Sequence, residues 1–152
     1  MVELTTDRTI VDVQDEIISE FEMLPDWTEK YKYIIELGQE SPDLPEEYKT
    51  NDRKIKGCQS NVWLNTNLDG EKIIYEGDSD AMITRGLINL LIRVYSGRTP
   101  DEIIQTKPYF IDRIDMRSHL SQTRANGLAS MVKKMKIYAM AYKTKLGNNQ
   151  SQ

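Results

Sequence analysis

The chain has 152 residues, 39% of them hydrophobic and 29% charged, a balance that excludes a disordered tail and predicts one compact globule. The formal net charge is -4, and the basic residues are scattered among acids, so nothing indicates nucleic-acid binding. No run approaches about 18 consecutive apolar residues, and the first ten residues lack a basic segment followed by an apolar one. We therefore expect a cytoplasmic protein without a membrane span, folded as a single domain over residues 1–152 with an ordered core at about 10–145.

Two helices are predicted first. In "IVDVQDEIISEF" the apolar residues fall at helical spacing, and the helix should stop before Pro25. In "DWTEKYKYIIELG" a second helix takes Asp26 as N-cap and ends at Gly38. Together the two predict a helical hairpin.

An irregular surface loop, "SPDLPEEYKTND" at residues 41–52, leads to the β-structure. "RKIKG" after it is predicted to form an edge strand. The alternating residues from Val62 to Leu68 predict a strand, followed by a hairpin with Asp69 and Gly70 in a type I′ turn. This gives a sheet of about three antiparallel strands.

Three more helices complete the predicted fold. "DSDAMITRGLINLLIRVYSG" should be the central one, with Ser79 as N-cap and Gly97 as the stop. "TPDEI" carries the capping box of a short helix. The last helix is expected from about Thr123 to Lys145, before a polar tail that frays. The fold class is α+β, with the helices on one face of the sheet.

Cys58, in "KGCQSNVWLN", is the only cysteine. It follows a glycine, and Arg53, Lys54 and Lys56 lie close in sequence, where positive charge would favour the nucleophilic thiolate. Free cysteine is also among the residues most often buried as a small hydrophobe. Both interpretations stay open on position alone.

Other chemistries have less support. One cysteine and one histidine cannot supply the three or four ligands of a zinc or iron–sulfur site, so no metal is expected. Cys58 and His119 could form a Cys–His pair only if the fold brings them together, and packing or capping is the commoner role of such a histidine. Arg124 alone reads as a solvated side chain, and Asp80 as a charge favoured in the first turn of the central helix. Trp27 and Trp63 read as core residues.

Four strings are familiar together: "KGCQSNVWL", "GDSDAMITRGL", "TPDEI" and "HLSQTRANGL". In this order, with these gaps, they closely resemble the SufE family, sulfur acceptors that work beside a pyridoxal-phosphate cysteine desulfurase in iron–sulfur cluster assembly. The resemblance covers roughly Val13 to Tyr142. One departure is Gln122, where the family commonly has proline two residues before the arginine.

The resemblance implies that Cys58, in Gly-Cys-Gln-Ser, accepts sulfane sulfur from a SufS-type desulfurase and passes it to an iron–sulfur scaffold complex. Gly57, Gln59, Ser60 and Lys56 would support the acceptor. Arg124 would act near the site or at the contact surface, and Asp80 would influence the partner. No cofactor is expected on this chain, because pyridoxal phosphate belongs to the desulfurase.

The resemblance further implies a fold like that of iron–sulfur scaffolds, with the acceptor on a loop tip over an apolar hollow, and an accessory protein rather than a stand-alone enzyme. Gly57 would let that loop swing toward a partner. A persulfide carrier is the first hypothesis. A docking module that activates the desulfurase without relaying sulfur is the second, and a Cys–His hydrolase is the third.

Overall fold

The computed structural model describes residues 8–150. Residues 1–7, Ser151 and Gln152 lie outside this range. The expectations about the N-terminal ten residues and about the end of the polar tail therefore fall mainly on residues outside the described part of the chain. Within the described chain no helix is both long and apolar enough to cross a membrane. The helices are α1 (Ile10–Glu22), α2 (Trp27–Glu40), α3 (Met82–Tyr95), α4 (Pro100–Gln105), α5 (Phe110–Arg113), α6 (Met116–His119) and α7 (Gln122–Gln150), with a 3-10 turn at Glu46–Tyr48 and strands β1 (Val62–Asp69) and β2 (Lys72–Ser79).

Both predicted helices, α1 and α2, are confirmed, but the predicted hairpin is not, because each of them packs against α3 more than against the other. The predicted core face of α1 is buried: Ile10, Val13, Ile17, Ile18 and Phe21. Asp26 caps α2 by accepting from the Glu29 amide at 2.9 Å, which satisfies a free N–H of the first turn.

The predicted end of α2 at Gly38 is wrong, because the helix continues to Glu40. Gly38 instead lies where α2 meets α3 closely. A Cβ at Gly38 would stand 2.3 Å from the Met82 carbonyl oxygen, and one at Gly86 would stand 2.0 Å from that of Ile34. The two glycines permit the helix contact and do not mark a helix end.

The β-structure is a two-stranded antiparallel hairpin, in which Val62 pairs with Ser79 and Asp69 with Lys72. The predicted third strand is reduced to one bridge, between Lys54 and Trp63, and a second single bridge joins Ile73 to Arg98. "RKIKG" cannot extend further along β1, because Gly57 turns with φ 93 and residues 56–60 leave the sheet. The sheet is therefore smaller than predicted.

The hairpin turn differs from the prediction by one residue. Its central positions are Gly70 and Glu71, since Asp69 pairs with Lys72. Only Gly70 has a positive φ, of 65, which a type I′ turn would require at both positions. The predicted type I′ turn at Asp69 and Gly70 is therefore wrong.

Helix α3 is central, as predicted, and packs against α1, α2, α7 and β2. Its predicted inner face is confirmed, with Leu87, Leu90, Leu91 and Val94 buried and Ile83 packed against the core. Ser79 is not its N-cap: it is the last residue of β2, and the cap position is Ala81, without a side-chain bond. Gly97 follows the helix end with φ 79.

The C-terminal half confirms the capping box at Thr99 and Glu102. It also adds two short helices, α5 and α6, that the sequence did not predict. Helix α7 carries the predicted core residues, with Leu128, Met131 and Met135 buried. It is longer than predicted, because Gly147 to Gln150 of the tail are helical.

The hairpin packs its inner face on the helices. Leu64, Ile73 and Tyr75 belong to the same core cluster as α3 and α7, and the Tyr75 hydroxyl donates to the Met135 carbonyl at 2.7 Å. The α+β class with helices against an antiparallel sheet is confirmed.

Candidate functional site

Residues 56–60 form a loop between the irregular segment and β1, which we call the cysteine loop. It is anchored just outside both ends. The Ile55 amide donates to the Val62 carbonyl at 2.8 Å, and Asn61 is bonded to Asp80. Within the described chain, Cys58 is the only residue of the loop that makes a hydrogen bond. The loop is thus fixed at its ends and lightly held between them.

Asp80 provides the second anchor. Its carboxylate accepts from the Asn61 amide at 3.1 Å and from the Asn61 side chain at 2.8 Å, while the Asp80 amide donates to the Asn61 carbonyl at 3.3 Å. The expectation that Asp80 lies in the first turn of α3 is wrong, because the helix begins at Met82. Asp80 holds the cysteine loop against the end of β2.

Gly57 lies against α7. Its φ of 93 is in the left-handed region, where a side chain is strained. A Cβ there would also stand 2.5 Å from Ser130 Oγ. Both features require glycine and bring the backbone before Cys58 close to the last helix.

Cys58 is half-buried. Its thiol donates a weak bond to the Gly127 carbonyl, with Sγ and oxygen 3.6 Å apart. A Cβ on Gly127 would stand 3.4 Å from Cys58 Sγ, so glycine at that position leaves room beside the sulfur. The thiol rests on the second turn of α7.

Burial raises the pKa of the Cys58 thiol, because a low-dielectric environment disfavours the thiolate. No charge of the described chain offsets this effect. Arg53 is engaged elsewhere, donating to Thr50 and Asn65 at 2.9 Å each. In this conformation the described residues therefore give no support to activation of the thiol by Arg53, Lys54 and Lys56.

A cavity of about 60 Å³ opens at the thiol. It has a mixed lining from the loop, α3 and α7: Cys58, Gln59, Ser60, Thr84, Leu87, Thr123, Arg124, Gly127 and Met131. The volume exceeds the roughly 10–15 Å³ that one water molecule requires. The cavity can accept one further atom on the sulfur.

Arg124 lies at this cavity, on the exposed first turn of α7. Its backbone amide donates to Ser121 Oγ at 3.2 Å, so Ser121 caps the helix and Gln122 is accommodated as its first residue. The Arg124 guanidinium has no hydrogen bond or ion pair to any residue between 8 and 150. It is available to an outside group.

The structure thus brings Cys58, Gln59, Ser60 and Arg124 to one cavity, with Asp80 at an anchor. Lys56 is separate, because it lines a different groove. The sequence did not predict the other residues as parts of one cavity, although Thr84 and Leu87 stand in "GDSDAMITRGL" and Thr123 and Gly127 in "HLSQTRANGL". The bonding of Asn61 to Asp80 had no sequence signal.

His119 makes its contacts away from the cavity lining. Its ring stacks on Trp27, with centroids 4.5 Å apart, and Nδ1 lies 3.0 Å from the Asp115 carbonyl oxygen. The structure therefore shows His119 in a packing role, and its geometry does not support a Cys–His hydrolase. Trp27 and Trp63 are half-buried rather than core residues. In the described part of the chain, no three His, Cys, Asp or Glu side chains are grouped to share a metal ion.

Asp78, the first aspartate of Gly-Asp-Ser-Asp, was also missed. It is buried and accepts from the Leu44 amide at 2.9 Å, while Arg85 Nε lies 3.2 Å away as an ion pair. Arg85 also donates to the Ser41 carbonyl at 2.6 Å. These charges fix the start of the irregular segment and do not reach the thiol cavity.

Fold and site together define a one-cysteine α+β domain that presents a half-buried thiol on a loop against its last helix. Residues 15–139 match the family model described as SufE: Fe-S metabolism associated domain. An uncharacterized SufE-like protein of Rhizobium meliloti (strain 1021) is 40% identical over 130 residues, 82% of this chain and 93% of the relative. One of Rhizobium etli is 42% identical over 127 residues, 80% and 86% of the two chains.

A solved structure, the solution structure of a hypothetical protein from Thermus thermophilus, is similar with a TM-score of 0.71. The alignment covers 87% of this chain and 96% of that one at 16% sequence identity, and it shows the shared fold. The chain belongs to the SufE family, a family associated with iron–sulfur metabolism.

Proposed function

We propose that this protein is a sulfur acceptor and carrier whose Cys58 takes sulfane sulfur from a SufS-type, pyridoxal-phosphate-dependent cysteine desulfurase, stimulates that enzyme and passes the sulfur to an iron–sulfur scaffold complex. The observation that carries the proposal is the Cys58 thiol itself, half-buried beside a cavity of about 60 Å³ on a loop anchored only at its ends. Family membership supports the link to iron–sulfur metabolism.

The transfer is a thiol–disulfide-type exchange. The Cys58 thiolate attacks the outer sulfur of the desulfurase's cysteine persulfide, and a new S–S bond forms at Cys58. The S–S bond to the desulfurase cysteine breaks, and that cysteine leaves as a thiolate with the electron pair. Cys58 releases one proton when it ionises, and the leaving thiolate can take up one proton. The exchange therefore consumes no external oxidant or reductant.

The resting geometry separates storage from attack. Against Gly127, burial raises the pKa of the Cys58 thiol, which lowers the fraction of the nucleophilic thiolate. Moving the cysteine loop outward, with Gly57 as the flexible residue, would return the thiol to water and restore the thiolate fraction. After transfer, the return of the loop would place the terminal sulfur in the cavity, sheltered from reductants.

Arg124 has a place in this cycle. Its free guanidinium at the cavity mouth can bind an anionic group of the desulfurase or stabilise the anionic sulfur during exchange. Gln59 and Ser60 supply polar contacts in the same lining. The proposal needs no cofactor on this chain, and it places the protein in the cytoplasm, because a free acceptor thiol persists in a reducing compartment.

The test is intact-mass spectrometry of the protein after incubation with its cognate cysteine desulfurase and cysteine, without reductant. We expect a gain of one sulfur atom that a thiol reverses and that Cys58→Ser lacks. Desulfurase turnover is measured in the same samples. Stimulation that survives in Cys58→Ser, without a mass gain in the wild type, would instead support a module that activates by docking alone.

A further inference from the structure

A groove of about 640 Å³ lies beside the cysteine loop and shares no lining residue with the thiol cavity. Residues from the segment before the loop and from α7 line it: Asn51, Asp52, Lys54, Ile55, Lys56, Ser130, Lys133, Lys134 and Ile137. We call it the lysine groove. Four of its nine lining residues are lysines and one is an acid, although the whole chain carries a net charge of -4.

The four lysines are free to meet an outside charge. None of Lys54, Lys56, Lys133 and Lys134 forms an ion pair with a carboxylate of residues 8–150, whereas Lys49 and Lys143 each do so. Lys134 rests over the Tyr138 ring, 5.1 Å from its centroid. The one acid, Asp52, accepts a hydrogen bond from Thr50.

The floor of the groove is partly apolar. Ile137 exposes 47% of its surface, and the aliphatic stems of lysines add to such a surface while their charges stay in water. A groove with an apolar floor and an ammonium rim fits a peptide segment that carries carboxylates around an apolar side chain. On a chain of net negative charge, this is a place where such a segment is attracted.

The groove adjoins the part of the protein that has to move. Lys56 precedes Gly57 in the cysteine loop, and Ser130 of the groove lies in contact range of Gly57. A macromolecule that approaches Cys58 over the loop therefore meets the groove at the same time. Binding there would hold the partner next to the loop before the thiol is engaged.

We infer that the lysine groove docks an acidic segment of the protein that delivers sulfur to Cys58. The inference rests on the proposed function, because the sulfur donor is the desulfurase named there. Such a contact acts chiefly on the association rate and on salt dependence, as expected for exposed charges at the rim of an interface.

The experiment measures the Kd of the pyridoxal-phosphate cysteine desulfurase encoded in the same genome for three chains. The first is the wild type and the second is Lys133→Glu/Lys134→Glu. The third, Lys72→Glu/Lys145→Glu, changes the net charge equally at two exposed lysines outside the groove. Circular dichroism verifies that all three are folded, and Lys133→Gln/Lys134→Gln supplies a milder change.

For the groove reversal we expect Kd to rise roughly ten-fold at about 0.1 M ionic strength, since each rim charge contributes a small factor. The glutamine variant should fall between it and the wild type. The control pair should stay within about two-fold of the wild type. Raising the salt should weaken wild-type binding more than binding of the groove reversal, because exposed charges are screened.

Equal Kd values for the two charge reversals would overturn the inference. The inference would also be overturned if Lys133→Glu/Lys134→Glu left desulfurase binding unchanged and weakened binding of the downstream scaffold, because the groove would then bind the scaffold. The wild-type mass spectrum tests the proposed function separately from the docking site. A desulfurase that binds but leaves no sulfur on Cys58 would refute sulfur transfer. The Kd comparison would still show whether the lysine groove is the docking site.

Discussion

Two stretches that precede β1 are held in different ways. Residues 41–49 are fixed by buried charge, through Asp78, which accepts from the Leu44 amide, and Arg85, which donates to the Ser41 carbonyl. To the residues between 8 and 150, residues 56–60 make a single weak bond, from Cys58 to Gly127, between two anchors. The chain thus fixes the segment that supports the fold and leaves lightly held the segment that carries its thiol.

The largest effect should come from removing the buried charge. Asp78→Ala removes the buried partner of Arg85, and breaking such a buried pair costs about 3 kcal/mol or more. Asp43, which also accepts from Arg85 but exposes 83% of its side chain, is the matched control. Asp43→Ala should cost under about 1 kcal/mol. Urea unfolding followed by circular dichroism measures both, and similar losses would remove the contrast between the two stretches.

A smaller loss is expected at the start of the cysteine loop. Gly57→Ala adds a Cβ at positive φ and against Ser130 Oγ, for a cost of about 2 kcal/mol. Gly70→Ala shares the positive φ without any neighbour within 4 Å, so it should lose only about 1 kcal/mol. Thermal unfolding compares the pair.

The same Gly57→Ala variant should release Cys58 from Gly127, which iodoacetamide detects as faster alkylation of the folded protein. Gly70→Ala should leave that rate unchanged. An alkylation rate that is the same in both variants would mean that contact with α7 does not hold the thiol.

The smallest effect on stability, with the opposite sign, belongs to Gly127→Ala. Alanine is favoured over glycine inside a helix by about 0.5–1 kcal/mol, so the variant should be no less stable than the wild type. Its methyl group would stand 3.4 Å from Cys58 Sγ, in van der Waals contact, and fill the space beside the sulfur. We expect alkylation of Cys58 to slow several-fold.

Gly147→Ala, in the same helix with nothing within 4 Å, is the control for helix propensity. It should share any gain in stability and keep wild-type reactivity. If both variants react alike, the space beside Gly127 has no role in exposing the thiol.

Features with local causes were predictable from the sequence. The caps at Asp26 and Thr99 and the apolar faces of α1 and α3 follow from short-range patterns. Cys58 was found because a lone cysteine after glycine in a loop is chemically distinct, and the family strings gave it a role. One glycine was misleading. Gly38 was interpreted as the end of α2, but a glycine is required there because the helix lies close to Met82 of α3.

Features that depend on distant contacts were not predictable. Arg53, Lys54 and Lys56 lie near Cys58 in sequence, yet the fold directs Arg53 to Asn65 and Lys56 to the lysine groove. No local pattern around Asp78 or Arg85 predicts their burial, yet the structure buries both. The thiol cavity draws on the loop before β1, on α3 and on α7, so its lining had no local pattern.

The anchors at Ile55 and Asn61 limit how far the cysteine loop could carry sulfur in the proposed relay. With both in place, Cys58 is three residues from either anchor, and three extended residues span at most about 10 Å. Cys58 therefore cannot ferry sulfur over a long distance by itself. In the proposed relay, each partner must bring its reacting atom within that reach, so the whole protein, rather than the loop, would travel between donor and acceptor.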